Sequence, residues 1–223
     1  MAGEQVTSAE LGWHGIEGDR RYAFMRTGVM SGFPWLTASK MPELIRYKAH
    51  YHKGVDASQP TVHVRTPMGE DFELESGLLL QQLSNAFGSS LALIKLDNGI
   101  FDDSPLSLIS TETVKMLEAE SGRTLDVRRF RPNLLIEPSD GMPLREEAWV
   151  AKTLVIGSAP AVRVTIHDVR CVMVNLDPDT AVPEPLVLKT IVRSRNNCAG
   201  VYGSTFRCGT VSVGDRVCLI ENL

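Results

Sequence analysis

Two stretches of the sequence concentrate side chains that can do chemistry. In the first, residues 128–133 read Arg-Arg-Phe-Arg-Pro-Asn, so that three guanidinium groups and an amide precede an apolar segment at residues 134–136. Guanidinium groups bind phosphate and other polar planar groups through paired hydrogen bonds. The segment therefore predicts either an anion site or the solvated end of a strand.

The second stretch surrounds a cysteine. Arg193 and Arg195 precede Cys198, and a glycine-rich segment, Ala-Gly-Val-Tyr-Gly, follows it. Nearby positive charges lower the pKa of a thiol and favour the thiolate, which is a nucleophile and a metal ligand. Free cysteine also buries readily. Cys198 is therefore either a reactive thiol or a small core residue, and a thiolate beside several arginines would suit an anionic cofactor that carries a soft metal.

Two aspartates, Asp177 and Asp179, stand close together in Asp-Pro-Asp-Thr. Paired carboxylates bind hard cations or act as acid and base. Aspartates in such a turn-forming sequence also accept hydrogen bonds from their own backbone. We interpret this segment mainly as a turn.

Most of the chain that must position these groups is predicted to be β-structure. Alternating or β-branched segments predict strands, and turn residues separate them, which favours an antiparallel barrel or sandwich over a doubly wound sheet. The predicted strands are residues 21–25, 44–52, 61–66, 91–96, 154–156, 162–166 and 169–176.

Two helices and one hairpin complete the prediction. The helices are expected at residues 77–87 and at residues 111–121, the second capped by Ser110 or Thr111 and ended by Gly122. Near the carboxyl end, two short strands flank Gly-Asp at residues 214–215, which is a signal for a hairpin turn. We expect those two strands to pair with each other.

Composition excludes several classes of protein. A net charge of -4 and a pI near 5.8 argue against binding along a nucleic acid backbone. No run approaches the roughly 20 apolar residues of a membrane span. The amino-terminal segment lacks the basic and apolar regions of a secretory signal, which predicts a cytoplasmic protein. The usual signatures of nucleotide and serine hydrolases are also missing.

The cysteines and histidines predict neither disulfides nor zinc. The four cysteines contain no Cys-x-x-Cys pair and are expected to be reduced thiols. The five histidines show no closely spaced ligand pattern, so no zinc site is expected. They are residues 14, 50, 52, 63 and 167.

Four motifs in order resemble those of the MOSC family, named for the carboxyl-terminal domain of molybdenum cofactor sulfurase. The resemblance implies a mainly β fold with a few short helices. It implies a MOSC barrel in residues 101–223 and an amino-terminal β-barrel-like subdomain, without its first strand, in residues 1–100. The motifs are GIEGDRRY at 15–22, RFRPN at 129–133, RC at 170–171 with DPDT at 177–180, and GVY at 200–202 with GTVSVGD at 209–215.

The resemblance also implies a function. Members of the family bind the molybdenum cofactor, and some reduce N-hydroxylated compounds such as amidoximes and hydroxamates. The metal would carry the redox step, and separate proteins would donate electrons or sulfur. The implied substrate is a small molecule.

Several residues of this chain match functional positions of the family. Arg131 and Asn133 match positions that contact the pterin. Cys198 is the predicted metal ligand and catalytic residue, and Cys171 is the second candidate, although its alternation with two valines also suits a core position. Further predicted cofactor-binding residues are Arg20, Ser110, Thr111 and Arg193.

Two departures from the family pattern leave alternatives open. Arg195 stands where amidoxime-reducing relatives have their molybdenum-binding cysteine, and Cys198 follows three residues later. The sequence before Gly15 also lacks the Pro-Val-Lys-Ser type of segment that helps to hold the cofactor phosphate in relatives. The alternatives are a sulfur-carrier or cofactor-maturation protein that uses a cysteine persulfide, and a cofactor-free β-barrel module.

Overall fold

The computed structural model describes residues 1–52, 60–99 and 103–220. The strands are β1 (Ser8–Gly12), β2 (Gly15–Ile16), β3 (Tyr22–Arg26), β4 (Lys48–His52), β5 (Thr61–Arg65), β6 (Asp71–Glu73), β7 (Leu91–Lys95), β8 (Leu106–Ser110), β9 (Leu134–Ile136), β10 (Thr153–Ile156), β11 (Ala161–Val169), β12 (Cys198–Arg207), β13 (Gly209–Ser212) and β14 (Val217–Ile220). Strands outnumber helices, so the mainly β prediction is confirmed.

The helices are short. The α-helices are α1 (Leu78–Phe87), α2 (Thr111–Ser121) and α3 (Leu186–Arg195). Short 3-10 helices lie at Pro42–Arg46, Leu74–Ser76, Val127–Phe130, Arg145–Trp149 and Val172–Asn175. Among the described residues, no helix has the length and apolar character needed to cross a membrane.

A curled sheet of six strands forms the centre of the carboxyl-terminal half. Its order is β14-β10-β11-β12-β8-β9, and its pairs are antiparallel except for β8 with β9. The register between β11 and β12 shifts at three places. Such bulges bend the strands and increase their twist, which explains why the sheet curls as a barrel wall does.

Strand β8 lies between two apolar clusters, and all five of its side chains are buried. Leu106 and Leu108 pack with Val164 and Val201 from the neighbouring strands. Ile109 packs instead against α2 and α3. This burial on both faces fixes the main chain of β8, including Ser107 and Ser110, whose hydrogen bonds contribute to the site described below.

A further apolar cluster contains Phe24, Val64 and Leu79 of the amino-terminal part together with Leu176 and Ala181 of the carboxyl-terminal half. Strand β1 pairs with β13, and its Leu11 packs in the cluster of the six-stranded sheet. The predicted boundary between residues 100 and 101 lies outside the described residues. The division into two subdomains stays a prediction.

Both predicted helices are confirmed. Ser110 caps α2, because its Oγ accepts a hydrogen bond from the backbone N–H of Thr113 at 3.1 Å. Gly122 ends the helix with a φ of +64°, in the left-handed region where glycine is favoured. The sequence analysis missed α3, whose Val187 and Ile191 are four residues apart and buried on one face.

The predicted hairpin at the carboxyl end is wrong. A turn is present, and the backbone N–H of Asp215 donates to the carbonyl of Ser212 at 3.1 Å. The strands on either side of it join different sheets, because β13 pairs with β1 and β14 pairs with β10. The turn signal depends only on neighbouring residues, whereas each of the two strands pairs with a strand from a distant part of the chain.

The strand predicted at residues 169–176 is also wrong beyond its first residue. Strand β11 ends at Val169, and Val172–Asn175 is a 3-10 helix. Cys171 is exposed at the start of this helix and not alternately buried in a strand. The first residues of the strand predicted at 44–52 are likewise helical, in Pro42–Arg46.

Two of the five histidines, which show no close spacing in the sequence, lie together in the structure. Strands β4 and β5 are antiparallel, and their register places His50 directly opposite His63. Two histidines thirteen positions apart in the sequence thereby become neighbours on one face of the sheet β4-β5-β6.

Candidate functional site

Asn133 connects the amino-terminal motif to the six-stranded sheet. Its main-chain N–H donates to the carbonyl of Ser107 at 2.8 Å, and its Oδ1 accepts from the Ser107 N–H at 3.0 Å. The same Oδ1 accepts from Arg20 Nη1 at 3.1 Å, while Nδ2 donates to Asp19 Oδ2 at 2.8 Å. Two of the predicted site residues, Arg20 and Asn133, are therefore in direct contact.

A buried ion pair lies beneath this network. Arg170 Nη2 is 3.0 Å from Asp168 Oδ2, and the two side chains are 7% and 1% exposed. Ser107 Oγ also donates to that carboxylate oxygen at 2.8 Å. Burial raises the pKa of Asp168 above its usual range, and the charge of Arg170 and the Ser107 hydrogen bond oppose this rise. The pair is thus desolvated and held by its own contacts.

Arg170 joins the two stretches singled out by their chemistry. Its Nη1 donates to the carbonyl of Phe130 at 2.8 Å, directly before Arg131. Its Nε donates to the carbonyl of Ala199 at 2.7 Å, directly after Cys198. One guanidinium group therefore positions the main chain beside both predicted site residues.

Gly200 is required next to this guanidinium. Its φ of +83° lies in the left-handed region. A Cβ atom there would lie 2.5 Å from the carbonyl oxygen of Leu108 and 3.0 Å from Arg170 Nη2. A side chain at this position would displace β12 from β8 or move the guanidinium group.

The sequence analysis did not identify the ion pair of Asp168 and Arg170 as part of the candidate site. Arg170 entered only as part of a motif, and Asp168 was not singled out. The available signal was an acidic residue at the end of the long apolar strand β11, where a charge is buried only if it is paired.

Cys198 is partly buried at the start of β12. Burial raises the pKa of its thiol, and the negative charges of Glu147 and Asp168 raise it further, while Arg170 opposes them. The expectation that Arg193 and Arg195 lower the pKa of this thiol and favour the thiolate is wrong. The arginine that acts on the thiol is Arg170, not Arg193 or Arg195.

The two arginines before Cys198 point elsewhere. Asn196 and Asn197 both have positive φ, which turns the chain sharply between α3 and β12. Arg195 forms an ion pair with Glu120 of α2, with Nη2 to Oε1 at 2.6 Å. Arg193 is exposed and lines a shallow depression with Lys189. The structure does not bring Arg193 together with the other predicted residues.

Ser110 and Thr111 lie at the start of α2. Ser110 is fully buried, and its main-chain N–H donates to Glu146 Oε1 at 3.1 Å. Glu146 is itself 0% exposed, and its second carboxylate oxygen has no hydrogen-bond partner among the described groups. The hydroxyl of Thr111 is buried without a partner as well. Capping the helix accounts for Ser110, whereas nothing in the described structure satisfies the Thr111 hydroxyl.

A cleft of about 720 Å³ opens between the strands β4 and β5 and the helix Val127–Phe130. We call it the basic cleft. The cationic side chains that line it are Arg46, Lys48, Arg65, Arg128, Arg129 and Arg131.

Two of these arginines are held by aspartates. Arg128 binds Asp179 with two hydrogen bonds, of 2.8 and 2.7 Å, and these hold the pKa of Asp179 below its usual range. Arg129 contacts Asp177 at 3.2 Å. Asp177 Oδ1 accepts from the Thr180 N–H at 2.9 Å, so the predicted turn is confirmed. These aspartates position the arginines of the cleft wall.

The opposite wall carries an unfavourable pair of charges. Lys48 lies directly opposite Arg65 on the paired strands β4 and β5. Like charges at such positions destabilise a sheet. Asp71 of β6 lies directly opposite Arg65, and the charge of Lys48 helps to lower the pKa of Asp179, but neither cation forms an ion pair within residues 1–52, 60–99 and 103–220. An anion between the walls would relieve this repulsion.

Arg131 reaches toward the amino-terminal residue. It has a φ of +51°, and its Nη1 donates to the carbonyl of Met1 at 2.8 Å. The pKa of the Met1 amino group is lowered to about 4, chiefly by burial and in addition by the charges of Arg131 and Arg20. The positive potential of these two arginines thus converges on one buried position.

The basic cleft fits the anionic part of the predicted cofactor. Its volume is in the range of small-molecule and cofactor sites, and its two walls carry guanidinium and ammonium groups suited to a phosphate. Of the described residues that line it, none is a cysteine. The structure therefore brings several cationic side chains together in one cleft but does not place the thiol of Cys198 or Cys171 in it.

Comparison with known proteins supports the same family. A family model described as "MOSC domain" matches residues 82–218, more than half of the chain. Mitochondrial amidoxime reducing component 2 of Bos taurus is 28% identical over 130 residues, and mitochondrial amidoxime-reducing component 1 of Homo sapiens is 29% identical over 135 residues. These matches cover 52% and 53% of this chain. They span only 37% and 38% of the length of those relatives.

A solved structure extends the likeness of fold to nearly the whole chain. The YUAD protein from Bacillus subtilis aligns with 96% of this chain and 85% of its own, with a TM-score of 0.50 and 15% sequence identity. At that identity the likeness concerns the fold alone. The matched family model, the ordered motifs and the curled sheet agree, and the chain belongs to the MOSC domain family.

Proposed function

We propose that this protein binds the molybdenum cofactor in the basic cleft and reduces N-hydroxylated small molecules, with electrons from a separate donor protein. The observation that carries the proposal is the cleft itself. Lys48 and Arg65 face each other there, and Arg128, Arg129 and Arg131 line the same cleft. An anionic group that bridges the walls would convert repulsion into attraction. The names of the curated relatives supply the reductase part of the proposal.

The residues of this chain would divide the binding between them. Arg131 would bind the phosphate or the polar edge of the pterin from one wall, and Lys48 and Arg65 would bind from the other. Asn133 and Arg20 would hold the main chain beside Arg131 through the network that joins them to Ser107. The chemistry that the bound cofactor supplies is the transfer of two electrons, which with two protons converts N–OH into N–H and water.

Cys198 is our proposed metal ligand, with Cys171 as the second candidate. Metal coordination deprotonates a thiol outright, so a pKa raised by burial affects the affinity for the metal and not the identity of the ligand. Replacing Cys198 by Ser should leave pterin bound and lower the molybdenum content. The same substitution at Cys171 is the matched control. If Cys171→Ser lowers the molybdenum content and Cys198→Ser does not, Cys171 is the ligand.

The first experiment tests binding. The protein is produced in a host that makes the cofactor, and its molybdenum is measured by elemental analysis together with the fluorescence of released pterin. Arg131→Ala and Arg65→Ala should each lower both signals. Arg207→Ala, at an exposed position at the end of β12, should not. A parent protein free of metal and pterin would contradict the proposal and favour a cofactor-free module.

The second experiment tests the reaction. The loaded protein is mixed with an amidoxime and a chemically reduced dye that replaces the partner protein, and the amidine product is measured. We expect turnover that requires bound molybdenum. Loaded protein that reduces neither an amidoxime nor a hydroxamate would retain the cofactor-binding part of the proposal and contradict the reductase part. The predicted cytoplasmic location stays a prediction, since the names of the relatives say mitochondrial.

The exposure of Cys171 favours one other candidate function, a sulfur carrier. In that case the Cys171 thiolate attacks the outer sulfur of a donor persulfide, forming a new S–S bond and releasing the donor thiol. Incubation with a persulfide donor, followed by mass spectrometry, should then show a gain of one sulfur atom on Cys171. Protein that gains no sulfur would contradict this candidate.

A further inference from the structure

Three polar side chains from three adjacent strands converge on one face of the sheet β4-β5-β6. His50 lies directly opposite His63, and Asp71 projects from β6. Asp71 Oδ2 is 3.4 Å from His50 Nε2 and 3.6 Å from His63 Nδ1. One nitrogen from each imidazole and one carboxylate oxygen all lie within 4.8 Å of one another.

These distances suit a metal ion better than hydrogen bonds. An N–H···O bond has its heavy atoms about 2.9–3.0 Å apart, shorter than either separation here. In a tetrahedral zinc site with bonds of about 2.0–2.1 Å, neighbouring ligand atoms are about 3.3 Å apart. The two measured separations are close to that edge length. The remaining edge, between the two imidazole nitrogens, needs only a modest side-chain movement.

His63 provides an independent sign of a missing partner. Its Nδ1 is buried, and no described group forms a hydrogen bond with it. A buried nitrogen without a partner costs stability, whereas a metal ligand at the same position is satisfied. The ring of His52 lies 4.6 Å from the ring of His63 and packs against it. The nitrogen is therefore held in place beside the carboxylate.

We propose that His50, His63 and Asp71 form a binding site for a divalent transition metal ion of the zinc class. Two imidazoles and one carboxylate are a ligand set that zinc accepts, and water would complete the tetrahedron. The face also carries the cations Lys48 and Arg65 and the carboxylate Glu73, so the local charge is mixed. Because His50 also lines the basic cleft, the ion would lie at the edge of that cleft.

The three ligands differ from the residues proposed to bind the cofactor, although Lys48 and Arg65 lie on the same strands as His50 and His63. None of the ligands is an arginine or a cysteine, and the three strands that carry them pair without the segments that carry Arg131 and Cys198. An ion held by all three strands would stabilise them against separation, since a ligand that binds only the folded state raises the unfolding temperature. Zinc binding and molybdenum content are measured separately, so failure of the zinc proposal is distinguishable from failure of the proposed function.

The test is a titration of the metal-free protein with Zn²⁺ in competition with a chromophoric chelator. We expect one tight site, with affinity lowered at least about tenfold in His63→Ala and in Asp71→Asn. His167→Ala is the matched control, because His167 is exposed on β11, and it should bind as the parent does. Asp71 lies at the surface, so its variant keeps the test decisive if the His63 variant fails to fold.

Co²⁺ identifies the ligands directly. Coordination by imidazole and carboxylate gives visible bands of the metal without the near-ultraviolet charge-transfer band of a thiolate. A thiolate band that disappears in a cysteine variant would overturn the proposal. Absence of zinc binding in the parent, or unchanged binding in both ligand variants, would overturn it as well.

Discussion

Replacing Arg170 by methionine isolates the buried ion pair. Methionine keeps an unbranched chain of similar length but removes the charge and the donors. Asp168, which is 1% exposed, would then lose a cation 3.0 Å away. The carbonyls of Phe130 and Ala199 would each lose a hydrogen bond. Because breaking a buried pair leaves an uncompensated charge, we expect the free energy of unfolding to fall by about 3–5 kcal/mol.

This loss should depend on pH in a defined direction. Burial already raises the pKa of Asp168, and removing Arg170 removes a charge that opposes the rise. The folded variant then retains a proton that the unfolded chain releases near its ordinary pKa of about 3.9. The contribution of Asp168 to stability is therefore fully present below the unfolded pKa and is lost as pH rises through the folded pKa, by at most about 1.4 kcal/mol per pH unit. The substitution should cost more near neutral pH than at mildly acidic pH.

The assay is urea unfolding of the parent and the Arg170→Met variant, near neutral pH and at mildly acidic pH. Arg207→Met controls for loss of an exposed arginine from the same half of the protein. Adding Asp168→Asn to the Arg170 variant should restore part of the lost stability and remove its added pH dependence. A cost below about 1 kcal/mol, typical of an exposed ion pair, would refute the reasoning. So would a cost that is independent of pH.

Four further substitutions test local features of the fold. Gly122→Ala, at a positive φ with open space around it, should lower the free energy of unfolding by about 1 kcal/mol. Gly200→Ala should lower it by a further ~1–3 kcal/mol, because the added Cβ meets a main-chain carbonyl. Urea unfolding measures both costs, and equal costs would contradict the close approach at Gly200. Ser110→Ala should cost about 1–2 kcal/mol in the same assay through loss of the cap of α2, and an unchanged stability would contradict that role. Arg128→Ala should raise the pKa of Asp179 toward its ordinary value, as followed by NMR titration, and an unmoved pKa would show that the two groups do not pair in solution.

Features encoded by a few consecutive residues could be predicted from the sequence. The second helix follows from its apolar spacing, the hydroxyl of Ser110 at its start and Gly122 at its end, and the structure has all three. The turn at Asp177 follows in the same way, because its carboxylate accepts from backbone groups two and three residues later. In both cases the energetics depend on neighbours in the chain.

Pairings between distant segments could not be predicted in this way. The Gly-Asp signal near the carboxyl end indicates a turn, but β13 pairs with β1, about 200 residues away. The histidines of β4 and β5 approach each other through a strand register that no local spacing shows. The charge of Arg193 and Arg195 beside Cys198 was equally misleading, since two residues with positive φ separate those side chains from the thiol. Sequence proximity is a poor guide to electrostatic proximity wherever the chain turns sharply.

Arg170 shows why the chemistry of this protein depends on a residue that spacing alone does not reveal. Its guanidinium holds the carbonyl before Arg131 and the carbonyl after Cys198, so the cleft wall and the thiol share one positioning group. Loss of Arg131 removes one cation from the cleft and leaves that arrangement intact. Loss of Arg170 should disturb both regions at once, because neither main-chain segment has its donor. A variant at Arg170 that kept full affinity for an anion in the cleft and an unchanged Cys198 reactivity would separate the two regions, and would show that each is positioned by its own strand.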